Sequence, residues 1–161
     1  MKTAIIFSTT YGSTEKVANY IAEKLKGDKV KVIRLRKNSK INIEQFDRII
    51  LGGSIYLGEI QPVMIKFCED NMDALLTKNI GLFTCGVEAE LVREDNELEM
   101  AFPKKIFNHA IATAFVGGEI SIEKLNPSQK FISKNFLKID ESVSFIHYDI
   151  IDIFVCQVLS A

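Results

Sequence analysis

Phe7-Ser8-Thr9-Thr10-Tyr11-Gly12-Ser13-Thr14-Glu15 lies between an apolar run, Ala4-Ile5-Ile6-Phe7, and apolar positions at helical spacing, Val17, Ala18, Ile21, Ala22 and Leu25. Strand, hydroxyl-rich turn with one glycine, helix: this order builds an anion cradle. Backbone N–H groups in the first turn of a helix lack intrahelical acceptors and carry the positive end of its dipole, so they attract an anion. Thr9, Thr10, Ser13 and Thr14 add neutral hydroxyl donors, and Gly12 lets the backbone come close to a ligand. No lysine or arginine lies between Ser8 and Thr14, which suits a phosphate monoester held by hydrogen bonds rather than by ion pairs. The three-glycine dinucleotide fingerprint is absent, and so is the lysine of the nucleotide P-loop. An ordinary helix cap by Ser13 or Thr14 is the competing reading.

Outward from this turn the chain alternates between strand and helix patterns. Residues 29–35 predict a half-buried strand with its lysine and arginine residues on one face, and residues 47–53 a buried strand ending at Gly52-Gly53. Residues 61–76 predict a helix with Pro62 in its first turn, and residues 80–85 a fourth strand leading into a loop at Gly86. Residues 94–110 predict a helix that Pro103 must kink or restart; residues 111–116 predict a fifth strand that stops at Gly117-Gly118. Five strands alternating with helices predict a single doubly wound α/β domain with a parallel sheet covered on both faces. In such sheets ligands bind beyond the carboxyl ends of the strands, where the strand order reverses. Glycine and hydroxyl residues collect at those ends, in 9–14, 52–58, 84–88 and 117–119, and this convergence favours the phosphate reading over the cap.

Residues 121–141 read as an insertion, in which Lys130, Lys134 and Lys138 recur every four residues and predict one helical stripe beside Phe131 and Phe136. Residues 143–159 are apolar and rich in β-branched side chains; propensity does not decide between helix and strand there, and the alternation of the chain predicts a terminal helix with Asp149 and Asp152 toward solvent.

With 161 residues, 47% of them apolar, the chain has enough core for one domain. A formal net charge of −1 argues against nucleic acid as a partner. Cys68, Cys85 and Cys156 show no C-x-x-C spacing, and an odd count of this kind predicts reduced thiols and a cytoplasmic location. No signal sequence is expected, because the first residues enter a strand at once, and no apolar run approaches the roughly 18 residues of a membrane span. His109 and His147 are isolated, so no metal site is expected.

These loops give the chain a family likeness. Nearly its whole length resembles the flavodoxin-like FMN-binding domains, with sheet order 2-1-3-4-5. It is most similar to the branch containing the quinone-dependent protoporphyrinogen oxidase. Thr9-Thr10-Tyr11-Gly12-Ser13-Thr14 resembles the phosphate loop, Gly52-Gly53-Ser54-Ile55-Tyr56-Leu57-Gly58 the first isoalloxazine loop, and Thr84-Cys85-Gly86-Val87-Glu88 the second. The resemblance implies that Thr9, Thr10, Gly12, Ser13 and Thr14 hold the FMN phosphate, with Tyr11 in the same loop. It implies that Ser54, Ile55 and Tyr56 lie along the flavin, Tyr56 stacking on its ring, and that the Leu57–Gly58 peptide sits near N5. Thr84, Cys85, Gly86 and Val87 would offer backbone groups to the pyrimidine edge. Two departures stand out: Tyr11 replaces a common hydroxyl residue, and Val87-Glu88 stand where electron-carrying flavodoxins often place an aromatic.

The resemblance implies an FMN-dependent electron carrier serving redox protein partners, with a quinone-reducing dehydrogenase as the alternative. The acids Glu88, Glu90, Glu94, Asp95, Glu97 and Glu99 would steer a basic partner or simply form a solvated face. The lysines within residues 124–138 would touch an anionic membrane surface, receive substrate carboxylates, or stay in water.

Overall fold

The computed structural model describes residues 1–56, 59–86, 99–135 and 138–161, and for Tyr56 the backbone alone. The chain opens with β1 (Lys2–Phe7), α1 (Ser13–Lys24), β2 (Lys29–Arg34) and β3 (Arg48–Tyr56). A two-residue strand, β4 (Glu59–Ile60), leads into α2 (Pro62–Asp70), α3 (Met72–Leu75) and β5 (Asn79–Cys85). Then come α4 (Lys104–His109), β6 (Ala112–Phe115), β7 (Glu119–Ile120), a 3-10 turn (Ile122–Lys124), α5 (Pro127–Asn135), β8 (Val143–Ser144) and α6 (Tyr148–Ser160).

Five parallel strands run in the order β2-β1-β3-β5-β6, which is the predicted doubly wound order, and β4 adds a sixth strand, antiparallel, to the end of β3. The central strands β1, β3 and β5 read as continuous apolar runs because both faces are covered, whereas the edge strand β2 alternates. Successive residues point to opposite faces, so Ala4, Ile6, Ile49, Leu51, Ile80 and Leu82 pack with Met64 and Phe67 of α2, Leu75 of α3 and Ile106 of α4. Ile5, Phe7, Ile50 and Phe83 pack on the other face with Val17, Ile21 and Leu25 from the α1 side and with Ile151, Phe154 and Val158 of α6.

Four sequence expectations need correction. Gly52-Gly53 do not end β3: the strand continues through Ser54, paired with Cys85, to Tyr56, paired with Glu59. The space a Cβ would need at Gly52 is filled by the Phe83 ring, and at Gly53 by Ile60, so the two glycines sit mid-strand because neighbours occupy their side-chain sites. The 61–76 helix is broken at Asn71, whose backbone N–H and side-chain amide both donate to the Phe67 carbonyl and close α2 before α3 begins.

The lysine stripe is the third correction. Lys130 and Lys134 lie on α5, whereas Lys138 lies past its end with φ 54°, so the three do not share one helical face. Phe136 lies outside the described residues. The fourth concerns residues 143–159: Val143-Ser144 pair with Ile120-Glu119 as a β7–β8 ribbon, and only from Tyr148 does the chain become helix. Phe145 N–H donates to the Gly118 carbonyl and His147 N–H to the Val116 carbonyl, holding this stretch extended before α6. As expected, Asp149 is exposed. Pro103 does restart a helix: it is extended at ψ 131° and precedes α4. Residues 94–98 of that expectation lie outside the described residues.

Candidate functional site

The loop after β1 enters α1 through Gly12, the N-cap residue, in the left-handed conformation at φ 97° and ψ −13°. A Cβ there would meet nothing, so the glycine is required by its backbone angle rather than by space. No side chain caps the helix, which removes the ordinary-cap reading of Ser13 and Thr14. Both are instead buried in its first turn. The first-turn N–H groups of Ser13, Thr14 and Glu15 have no intrahelical acceptor to reach. Gly12 N–H is satisfied locally by Thr9 Oγ1 at 2.9 Å.

Thr14 Oγ1 and Thr84 Oγ1 are buried with no hydrogen-bond partner among the described residues. A buried polar atom left unpaired costs about 1–3 kcal/mol, so such atoms commonly mark a ligand's place. Cys85 lies on the α1 side near Thr14 without meeting its hydroxyl in hydrogen-bond geometry, and burial pushes its thiol up to about 12. It is a small packed strand residue and carries no thiolate.

The arm of β3 and the start of α2 meet the loop through a residue the sequence reading passed over. Gln61, the N-cap of α2, accepts at Oε1 from Ser8 Oγ at 2.8 Å and from Ser54 N–H at 3.1 Å. Its Nε2 donates to Thr10 Oγ1 at 2.9 Å and to Ser54 Oγ. Thr10 N–H also donates to Ser54 Oγ at 3.2 Å. One side chain therefore joins the β1 loop to the β3 arm. Its only sequence signal was a polar residue before Pro62 at a helix start.

Among the predicted residues, Thr9, Thr10, Tyr11, Gly12, Ser13, Thr14 and Ser54 come together around this junction. Ile55 is buried in the β3–β4 pair. The Tyr56 ring, Leu57, Gly58 and Val87 lie outside the described residues, as do the acids of 88–97; Glu99 is exposed. In the second loop, the Thr84 carbonyl already accepts from Val116 N–H, and Gly86 N–H donates to the Gly117 carbonyl. Lys16, one turn into α1, is held by Glu119 of β7 at 2.7 Å, and Ser144 Oγ joins the same carboxylate at 3.2 Å. The ion pair raises the lysine and lowers the glutamate from their ordinary pKa values, chiefly through that hydrogen bond. The nearby cation is thus occupied, and the cradle itself is built from neutral donors.

A flavodoxin-domain family model matches residues 4–144. The chain belongs to the flavodoxin domain family. This flavodoxin domain is similar in fold to two-electron reduced Megasphaera elsdenii flavodoxin, with TM-score 0.62 and 20% identity over 99% of each chain. Oxidised flavodoxin 1 from Bacillus cereus gives TM-score 0.59 at 20% identity, covering 99% of this chain and 98% of that one. Among curated proteins it resembles the quinone-linked protoporphyrinogen IX dehydrogenase of Escherichia coli K12, 32% identical over 77 residues, which are 47% of this chain and 42% of that protein. The match therefore spans less than half the length of that relative. A flavoprotein from Lactobacillus acidophilus, solved in complex with FMN, gives TM-score 0.52 at 12% identity over 71% of this chain and 93% of that one.

The residues of this flavodoxin domain fit the FMN phosphate. A phosphate monoester offers only acceptors at neutral pH, and the junction offers first-turn N–H groups, the hydroxyls of Thr9, Thr10 and Ser13, and the unpartnered hydroxyl of Thr14. No helix among the described residues is long and apolar enough to cross a membrane.

Proposed function

We propose that this flavodoxin domain binds FMN and carries electrons between redox partners in the cytoplasm. The observation that carries the reading is the neutral cradle at the start of α1: a left-handed Gly12 followed by two buried hydroxyl residues, one of them unpartnered. Bound FMN would supply the redox chemistry, and the protein would supply position, exclusion of water and electrostatics. Thr9, Thr10, Ser13 and Thr14 would hold its phosphate. Tyr56, on the strand arm that Gln61 fastens to the loop, would lie along the ring, and residues 57, 58 and 84–87 would meet its polar edges. The thiol near Thr14 is protonated and supplies no nucleophile.

A quinone-reducing dehydrogenase is the second reading. It is favoured by the likeness to the Escherichia coli enzyme and by the surface of α5, where Phe131 is 64% exposed between the exposed Lys130 and Lys134. An apolar side chain flanked by cations suits peripheral contact with an anionic bilayer in which a quinone dissolves.

FMN titration of the purified protein, then anaerobic stepwise reduction followed by visible absorbance, separates the readings. Stoichiometric binding with two resolved one-electron steps is the expected result for the carrier. Binding with a single two-electron step, faster reoxidation by menaquinone, and cosedimentation with anionic vesicles that charge reversal at Lys130 and Lys134 abolishes would establish the dehydrogenase. Absence of FMN binding would falsify both.

A further inference from the structure

The Gln61 side chain is a saturated amide. A primary amide has two lone pairs and two protons, and here Ser8 and Ser54 N–H take the lone pairs while Thr10 Oγ1 and Ser54 Oγ take the protons. Its orientation is not free. A backbone N–H can only donate, so Ser54 N–H must face Oε1, and Nε2 must face the two hydroxyls.

That orientation propagates. Ser54 Oγ accepts from Nε2 and from Thr10 N–H, which uses both of its lone pairs, so its own proton is left to go to Thr10 Oγ1 at 3.3 Å. Thr10 Oγ1 then accepts twice, from Nε2 and from Ser54 Oγ, and has no lone pair left to offer. The Thr10 proton has no acceptor within this network. It is left to point at one that comes from outside.

We propose that Gln61 is a positioning residue that fixes Thr10 as an obligate hydroxyl donor, and so makes the loop selective for a flavin carrying a phosphate over one without it. The inference rests on the FMN reading given above. A phosphate oxygen accepts and does not donate, so it matches a hydroxyl of fixed polarity. A ligand hydroxyl can serve either polarity and gains less from the arrangement. Gln61 touches no ligand itself: it acts through Thr10 and Ser54.

The test compares Gln61→Glu and Gln61→Met with the unaltered protein, measuring dissociation constants for FMN and for riboflavin by quenching of flavin fluorescence. A glutamate keeps the size and the acceptor at Oε1 but replaces the donor with a second acceptor, reversing the polarity. Its FMN dissociation constant should rise about 10- to 100-fold at pH 8, the range of a lost hydrogen bond to a charged group. Riboflavin binding should change less than about threefold, since the charge-assisted bond is absent there. As pH falls toward 5, Gln61→Glu should recover part of its loss relative to the unaltered protein, because a protonated carboxyl donates again. Gln61→Met should show a smaller, pH-independent loss, since Thr10 can then rotate. Equal losses of FMN and riboflavin in both variants would mean that Gln61 only braces the fold, and would overturn the inference. So would an unchanged preference for FMN in Gln61→Glu. An unaltered protein that binds FMN no better than riboflavin would instead overturn the phosphate reading, and this inference with it.

Discussion

The Thr14 hydroxyl is buried and has no partner among the described residues, so in the free protein it is a cost rather than a support. Valine has nearly the same shape and no polar atom. Thr14→Val should therefore leave the free protein as stable or up to about 1 kcal/mol more stable, while weakening FMN binding about tenfold or more. Opposite signs on the two readouts are what identify a residue kept for its ligand. Thermal melts with and without FMN would check it; a variant destabilised in both states would assign Thr14 to packing. The phosphate loop was legible at this scale because its chemistry is local: a glycine at a helix start and hydroxyls within a few positions. Gln61 was not legible. Its meaning comes from Ser8, Thr10 and Ser54, two of them more than 40 positions away, and a glutamine before a proline has no pattern of its own.

At the scale of elements, β1, α1, β2, β5 and β6 fall close to where the sequence pattern put them: the central strands, covered on both faces, read as uninterrupted apolar runs, while α1 shows helical spacing and the edge strand β2 alternates. The end of β3 was misread because glycine normally stops a strand, and here Phe83 and Ile60 reach in from other strands to fill the empty side-chain positions. Two-residue strands such as β4, β7 and β8 show no period at all and exist only through their pairing. The amino ends of β1, β2 and β3 are drawn together by Asp28, which accepts from Thr3 Oγ1 at 2.6 Å, pairs with the buried Arg48 at 2.8 Å and meets the Met1 ammonium at 3.2 Å. Burial pushes its pKa up, but Thr3, the ammonium and Arg48 together hold it below the ordinary value of 3.8. A depressed carboxylate contributes stability above its unfolded pKa and loses it as pH falls through the folded value. Asp28→Asn should thus cost about 3 kcal/mol at pH 7, where it strands a buried guanidinium, and progressively less below about pH 4. Urea unfolding across that range would check it, and a penalty independent of pH would remove the ion pair from the account.

For the molecule as a whole, the three cysteines are placed as probes of its layers. Cys68 packs in the α2 layer and Cys85 in the α1/α6 layer, both buried with thiols pushed up to about 12, whereas Cys156 is exposed on α6. Only thiolates react, so an aromatic disulfide reagent should modify one thiol per chain within seconds to minutes and the other two only as the protein opens. If the sheet opens as one unit, the two slow thiols will share a rate. If one face loosens first, they will differ, and two fast thiols would contradict the packing described. The β7–β8 ribbon has a consequence of another kind. Ile120 and Val143 are direct partners, so the segment between them leaves this ribbon and returns to it at one spot. A loop whose ends are already pinned can lengthen cheaply, at about 0.6 kcal/mol per doubling. That spot is a splice point: a reporter domain with neighbouring termini could be grafted there and ride on the sheet, and natural chains could gain or shed modules at the same place without relearning how to fold.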